Sequence, residues 1–347
     1  MHTPDTGGTA PALPVRDALR TALAGLLDGL PPRQAVQAVD RLIANYRGTT
    51  PTDAPVLRDR ADAVAYAAYR MPATFEAVRS ALAAFRAAEP DRVPAAHVDL
   101  GGGTGAASWA VADAWPAGKH TTTVLDWAEP ALGLGRELAV RSGPAPLRDA
   151  RWQRQALGAG TALPEGCDLV TLCYVLGELT EPARHAVVDA AAATAEVVLV
   201  VEPGTPEGYL RVIAARDRLI GAGFRIAAPC PHSRACPIEP GSDWCHFAAR
   251  VNRSSLHRQV KGGSLPYEDE KFSYVAAVRS AAHEDAQPGP RARVVRRPQL
   301  RKGQVLLDLC LPEQGLGRET VTKRRGALYR AARDTEWGAA WPPPDQD

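Results

Sequence analysis

Long apolar runs are missing from this chain. No stretch of about 18 uninterrupted apolar residues occurs, which excludes a membrane-spanning helix. Met1 to Leu13 lacks a basic start followed by an apolar stretch, and Asp5, Asp17 and Asp28 make the leading segment too acidic for a transit peptide, so a cytoplasmic protein is expected. Cysteine is sparse, six in 347 residues, too few for a disulfide scaffold; metal binding or core packing remains for the thiols. Internal repeats are absent, and so is any large net charge: the sum is +2. That near-neutrality conceals an uneven distribution. Between Arg291 and Arg330 eleven Lys or Arg stand against only Asp308, Glu313 and Glu319, a local +8 that leaves −6 for the rest, so the C-terminal end is a candidate polyanion surface.

What is present is enough for a large core. Hydrophobic residues make up 45% of the chain, compatible with one large domain bearing extensions or two modest ones. Residues 1–93 form an N-terminal helical region: from about Val15 to Ala88 apolar residues recur at helical spacing, broken at Pro31-Pro32, Thr49-Thr-Pro51 and Pro72. Over 94–223 short apolar runs alternate with helical stretches. The runs are His97 to Leu100, Thr122 to Asp126, Asp168 to Leu172 and Glu196 to Val201, a pattern of parallel strands with helices on both faces. At 224–263 the alternation stops in a segment rich in Pro, Cys, His and Arg, which reads as an insertion. Within 264–347, Phe272 to Val278 and Gln304 to Cys310 read as two more strands that complete a sheet of about seven, followed by an extended tail ending in Pro342-Pro-Pro344.

The first apolar run leads into Asp99-Leu-Gly-Gly-Gly-Thr-Gly105, where a strand ends and a helix begins. Glycines at Gly101, Gly103 and Gly105 permit positive φ and let a ligand approach the backbone, and the following helix offers unpaired N–H groups. Asp126, 21 residues on, ends the next strand, where a carboxylate can accept both hydroxyls of a ribose. The glycines alone also suit a nicotinamide cofactor. The D-x-G-x-G-x-G spacing with a leading acid resembles the first motif of the class I methyltransferases, which bind S-adenosylmethionine; the resemblance implies that Asp99 faces the aminoacyl end of that cofactor. Trp127 stands where an adenine could stack or a core residue could pack.

The reacting end carries no recognisable motif. Enzymes that methylate base amines end the fourth strand in Asn or Asp, Pro-Pro and an aromatic; here the strand ends Leu172-Cys-Tyr-Val-Leu-Gly-Glu178. Cys173, like Cys167, reads as a packing residue, Glu178 as a base or a helix-start carboxylate, and catalytic residues stay unassigned. Four other cysteines sit in polar, proline-rich settings: Cys230, Cys236, Cys245 and Cys310. Five and eight residues separate the first three and 64 separate the last, none of which matches a zinc knuckle. The spacings favour a four-iron cluster, with zinc or unligated thiols as alternatives and His232 and His246 as substitute ligands. Arg250, Arg253, Arg258 and Lys261 follow without an intervening acid and could meet phosphate or simply form a solvated face.

Several longer strings occur together: Tyr69-Arg-Met-Pro72, Asp99 to Gly105, Glu202-Pro-Gly204, Pro229-Cys-Pro-His232, Asp243-Trp-Cys-His-Phe247, Tyr267 to Tyr274, Arg297 to Lys302 and Val321-Thr-Lys-Arg324. Through them the chain resembles the methyltransferase-like small-ribosomal-subunit assembly family. The resemblance implies an α/β fold with a Rossmann-like, seven-stranded class I methyltransferase sheet, an N-terminal helical extension and a Cys-rich iron-sulfur insertion. It further implies S-adenosylmethionine at Asp99, Gly101, Gly103, Gly105 and Asp126, and a four-iron, four-sulfur cluster on Cys230, Cys236, Cys245 and Cys310. The implied partner is small-subunit ribosomal RNA, for a monomeric assembly protein or ribosomal RNA methyltransferase. A small-molecule methyltransferase with a structural zinc site and no RNA role is the alternative.

Overall fold

The computed structural model describes residues 13–27, 37, 57, 59–253, 265–280 and 292–343. The breaks expected at Pro31-Pro32 and Thr49 to Pro51, the basic residues Arg258, Lys261 and Arg291, and the end of the tail from Pro344 lie outside the described residues.

The helical preface supplies α1 (Val15–Leu27), α2 (Arg60–Tyr69) and α3 (Met71–Ala88). Asp59 caps α2 by accepting from the Asp62 amide at 2.8 Å, and Pro72 sits in the first turn of α3, where a missing N–H costs nothing. Met71, Phe75, Val78, Leu82 and Phe85 recur at three- and four-residue intervals, so one stripe of α3 is buried against the core.

The core begins with β1 (Ala96–Leu100), α4 (Ala106–Ala114), β2 (Thr121–Asp126), α5 (Glu129–Ser142), the short α6 (Ala145–Arg148), β3 (Arg151–Arg154) and β4 (Leu169–Cys173). It continues with α7 (Glu181–Thr194), β5 (Val197–Pro203), α8 (Pro206–Gly221), β6 (Phe224–Ala228), β7 (Phe247–Asn252) and β8 (Tyr267–Arg279). These strands make an eight-stranded sheet in the order β3-β2-β1-β4-β5-β8-β6, with β7 also paired to β8. The first five are parallel and β8 runs antiparallel to β5, β6 and β7. In β5 the run Val-Val-Leu-Val-Val has no polar face because both faces are covered: Val197, Leu199 and Val201 enter one core cluster, Val198 and Val200 the other.

Two expectations are corrected here. Residues 224–263 are not wholly an insertion, since β6 and β7 are strands of the main sheet and the irregular stretch between them is 229–246. Gln304 to Cys310 does not complete that sheet either. It belongs to β11 (Gln304–Leu311) of a second, five-stranded sheet with β9 (Ala292–Val294), β10 (Gln299–Arg301), β12 (Gly315–Thr322) and β13 (Ala340–Trp341). This sheet, with α9 (Ala327–Asp334), buries its own cluster around Val294, Val305, Leu307, Val321 and Trp341. No described helix is long and apolar enough to cross a membrane.

Candidate functional site

The parallel strands reverse direction of spread between β1 and β4, the place where an open α/β sheet leaves a crevice beyond its strand ends. A cleft of about 430 Å³ lies there. Gly101, Gly103, Asp126 and Trp127 form one side, Cys173, Tyr174, Val175 and Glu178 another, and Leu57 and Tyr66 arrive from the helical preface.

The three motif glycines do different jobs. Gly101 and Gly105 have φ of +68° and +85°, and a Cβ on them would come within 2.2 Å of Val175 and 2.7 Å of Trp152 respectively. Gly103, at φ +52°, has only the Asp126 carboxylate near a Cβ, at 3.8 Å, so it is the glycine that leaves room for a ligand. Asp126 is fixed beside it: Oδ2 accepts from the Gly103 amide at 2.9 Å and Oδ1 from the Ala128 amide at 2.8 Å. Burial raises its carboxyl above the usual range and these backbone bonds pull it back.

Asp99 and Gly105 do not line the cleft. The Asp99 side chain is fully buried, with Thr171 Oγ1 donating to Oδ1 at 2.7 Å and the Ser108 hydroxyl and amide donating to Oδ2 at 2.9 and 3.2 Å. It clamps β1 to β4 and α4. Burial pushes its carboxyl up to about 6. Behind it His97 Nε2 donates to Thr171 Oγ1 at 2.9 Å, the hydroxyl proton being committed to Asp99, and burial holds that imidazole neutral, down to about 3.

Sequence reasoning missed the wall at the reacting end. Tyr174, just past β4, has a left-handed φ of +58°, and its hydroxyl donates to Glu270 Oε1 at 3.1 Å. Arg70 reaches the same carboxylate with Nη2 at 2.9 Å and Nη1 at 3.4 Å. Glu202, fully buried, braces the following loop by accepting from the Leu176 amide at 3.0 Å and from Arg211 at 2.6 Å. These residues lay within noticed strings, but their partners are as many as 200 positions away. The Cys173 thiol is pushed well up by burial and the neighbouring Asp99 and Glu202.

A second cavity, of about 590 Å³, gathers Cys230, Cys236, Cys245 and Cys310, with Arg216 and Arg293 among its walls. Cys230 and Cys236 come from the loop after β6, Cys245 precedes β7, and Cys310 comes from β11, so the cavity lies at the joint of the two sheets. Tyr209 Oη lies 3.3 Å from Cys236 Sγ, His232 Nε2 3.8 Å from Cys310 Sγ, and Ser273 Oγ donates to the Cys245 carbonyl at 2.7 Å. His246 stacks on Trp244 at 5.2 Å instead of taking a ligand's place. Burial raises the Cys230, Cys245 and Cys310 thiols, Cys310 to about 12, and neighbouring cysteines add to the rise. All six cysteines are free, and among the described residues no three His, Cys, Asp or Glu side chains are grouped to hold a single metal ion.

At the far end of the second sheet two basic stretches meet. The β10–β11 turn at Lys302 and Gly303 receives the Lys323 amide at Gly303 O, 2.9 Å, which sets Arg301 and Lys302 beside Lys323 and Arg324. Arg318 and Arg325 are paired, with Asp308 and Glu319, whereas Lys302, Lys323 and Arg324 have no ion pair with a described residue.

The mixed sheet and its strand order resemble those of the class I S-adenosylmethionine-dependent methyltransferases. Among solved structures, a methyltransferase of this kind from Aquifex aeolicus superposes with a TM-score of 0.37 at 12% identity, covering 61% of this chain and 94% of its own. The human mitochondrial ribosome assembly protein METTL17 is 29% identical over 295 residues, 80% of this chain and 62% of the relative. The Saccharomyces cerevisiae mitochondrial ribosome assembly protein RSM22 is 23% identical over 179 residues, 34% of this chain and 28% of the relative. The chain thus spans less than two thirds of the length of these curated relatives. A family model described as mitochondrial small ribosomal subunit Rsm22 matches residues 60–342, and the chain belongs to that family.

Proposed function

We propose that this protein binds S-adenosylmethionine in the cleft beyond β1, β2 and β4, carries a four-iron, four-sulfur cluster on Cys230, Cys236, Cys245 and Cys310, and assists small-ribosomal-subunit assembly by docking on its RNA. Methyl transfer to that RNA is the activity the cofactor would support. The observation that carries the reading is the convergence of four thiols on one cavity between the cofactor-type sheet and the basic sheet. When bound, such a cluster supplies a rigid anionic joint and a one-electron couple. Gly103 and Asp126 would hold the nucleoside end of S-adenosylmethionine, and the basic end of the second sheet would meet phosphate.

Anaerobic purification followed by visible absorbance and iron, sulfide and zinc analysis tests the metal; a colourless zinc protein overturns the cluster. Cosedimentation with small subunits across a salt series tests the partner, and failure to bind them or their RNA at low salt ends that reading. Labelled methyl transfer to immature subunits decides between an enzyme and a cofactor-binding assembly factor.

A further inference from the structure

Arg216 and Arg293 are buried in a way that needs an explanation. They are 1% and 6% exposed, and guanidinium groups stay protonated in any protein environment. Isolated charges are expensive to bury unless something of opposite sign lies close. Their hydrogen bonds go mostly to neutral carbonyls: Arg293 Nε to Pro229 at 2.7 Å and Nη1 to Gly338 at 2.9 Å, Arg216 Nη2 to His232 at 3.2 Å and to Arg234 at 2.5 Å. Asp217 meets Arg216 at 3.0 Å but is 61% exposed, so solvent screens it. Arg293 has no ion pair with a described residue, and Arg216 Nε–H has no hydrogen-bond partner among them. Both side chains line the four-thiol cavity, Arg216 from α8 on the side of the main sheet and Arg293 from β9 of the second.

We propose that Arg216 and Arg293 are the counter-charges of the thiol cavity and set the reduction potential of the cluster bound there. The proposal rests on the cluster reading above. A four-iron core held by four thiolates carries two net negative charges when oxidised and three after one electron enters from an external reductant, with no bond broken and no proton moved. Two fixed cations in a poorly solvated wall favour the more negative state. Three of the four carbonyl bonds, to Pro229, His232 and Arg234, tie these same cations to the cysteine loop, and the unused Arg216 Nε–H is left for sulfur.

The full chain, purified anaerobically as wild type, Arg216→Met, Arg293→Met, Arg216→Lys and Arg293→Lys, tests this. Iron and sulfide are measured first, then each protein is titrated with dithionite in the presence of redox mediators and followed by visible absorbance. At the wild-type midpoint the Met variants should show at least a tenfold lower ratio of reduced to oxidised cluster, and the Lys variants should lie near wild type. Met variants that lose iron while Lys variants keep it at the wild-type midpoint support the counter-charge role too. An unchanged midpoint in fully loaded Met variants overturns it, as does loss of the cluster from Met and Lys variants alike, which would make the arginines a purely geometric brace. If wild type itself takes up no iron and sulfide, the cluster reading fails, and this assignment with it.

Discussion

The hydroxyl of Tyr174, whose residue lines the cleft beyond β1 and β4, donates to the carboxylate of Glu270 on β8 at 3.1 Å. Tyr174 is held in a left-handed conformation that costs a non-glycine residue about 1 kcal/mol. Arg70 closes the group from the helical preface, its guanidinium 5.7 Å from the Tyr174 ring centroid, so one carboxylate on β8 binds the ends of two other segments.

Unequal losses should follow when this group is dissected. Tyr174→Phe removes one hydrogen bond and leaves the ion pair, costing about 1 kcal/mol. Glu270→Gln leaves Arg70, whose side chain is 25% exposed, with a neutral partner and should cost about 2–4 kcal/mol. Urea unfolding of both single variants and the double variant measures this; an equal cost for the two singles would remove the ion pair from the account.

The motif glycines should separate stability from binding. Gly101→Ala sets a methyl against Val175 and should destabilise the fold by more than the roughly 1 kcal/mol of left-handed strain that Gly103→Ala carries. Gly103→Ala and Asp126→Asn should instead weaken S-adenosylmethionine binding, by about ten- to a hundredfold for Asp126→Asn. Thermal unfolding and titration calorimetry on the same samples check the split, and a Gly103→Ala protein with wild-type affinity would move the ligand elsewhere.

Asp99 predicts a pH dependence. Its carboxyl rises from 3.8 to about 6 on folding, so between those values the native state keeps a proton that the unfolded chain has released. The stability this contributes is complete below pH 3.8 and is lost as pH rises through about 6. The shift corresponds to about 3 kcal/mol. Relative to Asp99→Asn, wild type should lose that amount between pH 4 and 7 in urea midpoints; parallel profiles for the two proteins would contradict the assignment.

Basic residues at the end of the second sheet should show themselves in salt dependence. Replacing Arg301, Lys302, Lys323 and Arg324 by alanine should lower the slope of log affinity against log salt by about 0.7 per lost single-strand phosphate contact. Filter binding or fluorescence anisotropy with small-subunit RNA reads the slope. A weaker affinity with an unchanged slope would exclude phosphate contact by these side chains.

The parts legible in sequence were those whose physics is local. Strand ends followed by glycine, and an acid at the end of the next strand, mark a turn with a carboxylate beside it whatever the rest of the chain does, and Gly101, Gly103 and Asp126 do meet at one cleft. The strand β3, Arg-Trp-Gln-Arg, left no apolar run because it is a sheet edge that buries Trp152 alone. The main-sheet strand β7 hid inside the cysteine-rich stretch because only Phe247, Ala249 and Val251 of its alternating pattern are buried. Which sheet Gln304 to Leu311 joins is decided by pairing with β9, β10 and β12, and β9 is only three residues long, too short to show a period. The clamp that Asp99 makes was hidden for a related reason: its partners Ser108 and Thr171 lie on two other elements, beyond the reach of local spacing.

The distribution of the four cavity cysteines also orders events in time. Cys310 follows Cys245 by 65 residues, and β11, which carries it, can pair with β12 only after still more chain has emerged. At about 5–20 residues per second, a growing chain presents Cys230, Cys236 and Cys245 for roughly 3–13 seconds before the fourth thiol exists. During that interval the loop after β6 is a three-thiol surface with no second sheet to cover it, and its thiols are open to solvent and to oxidants.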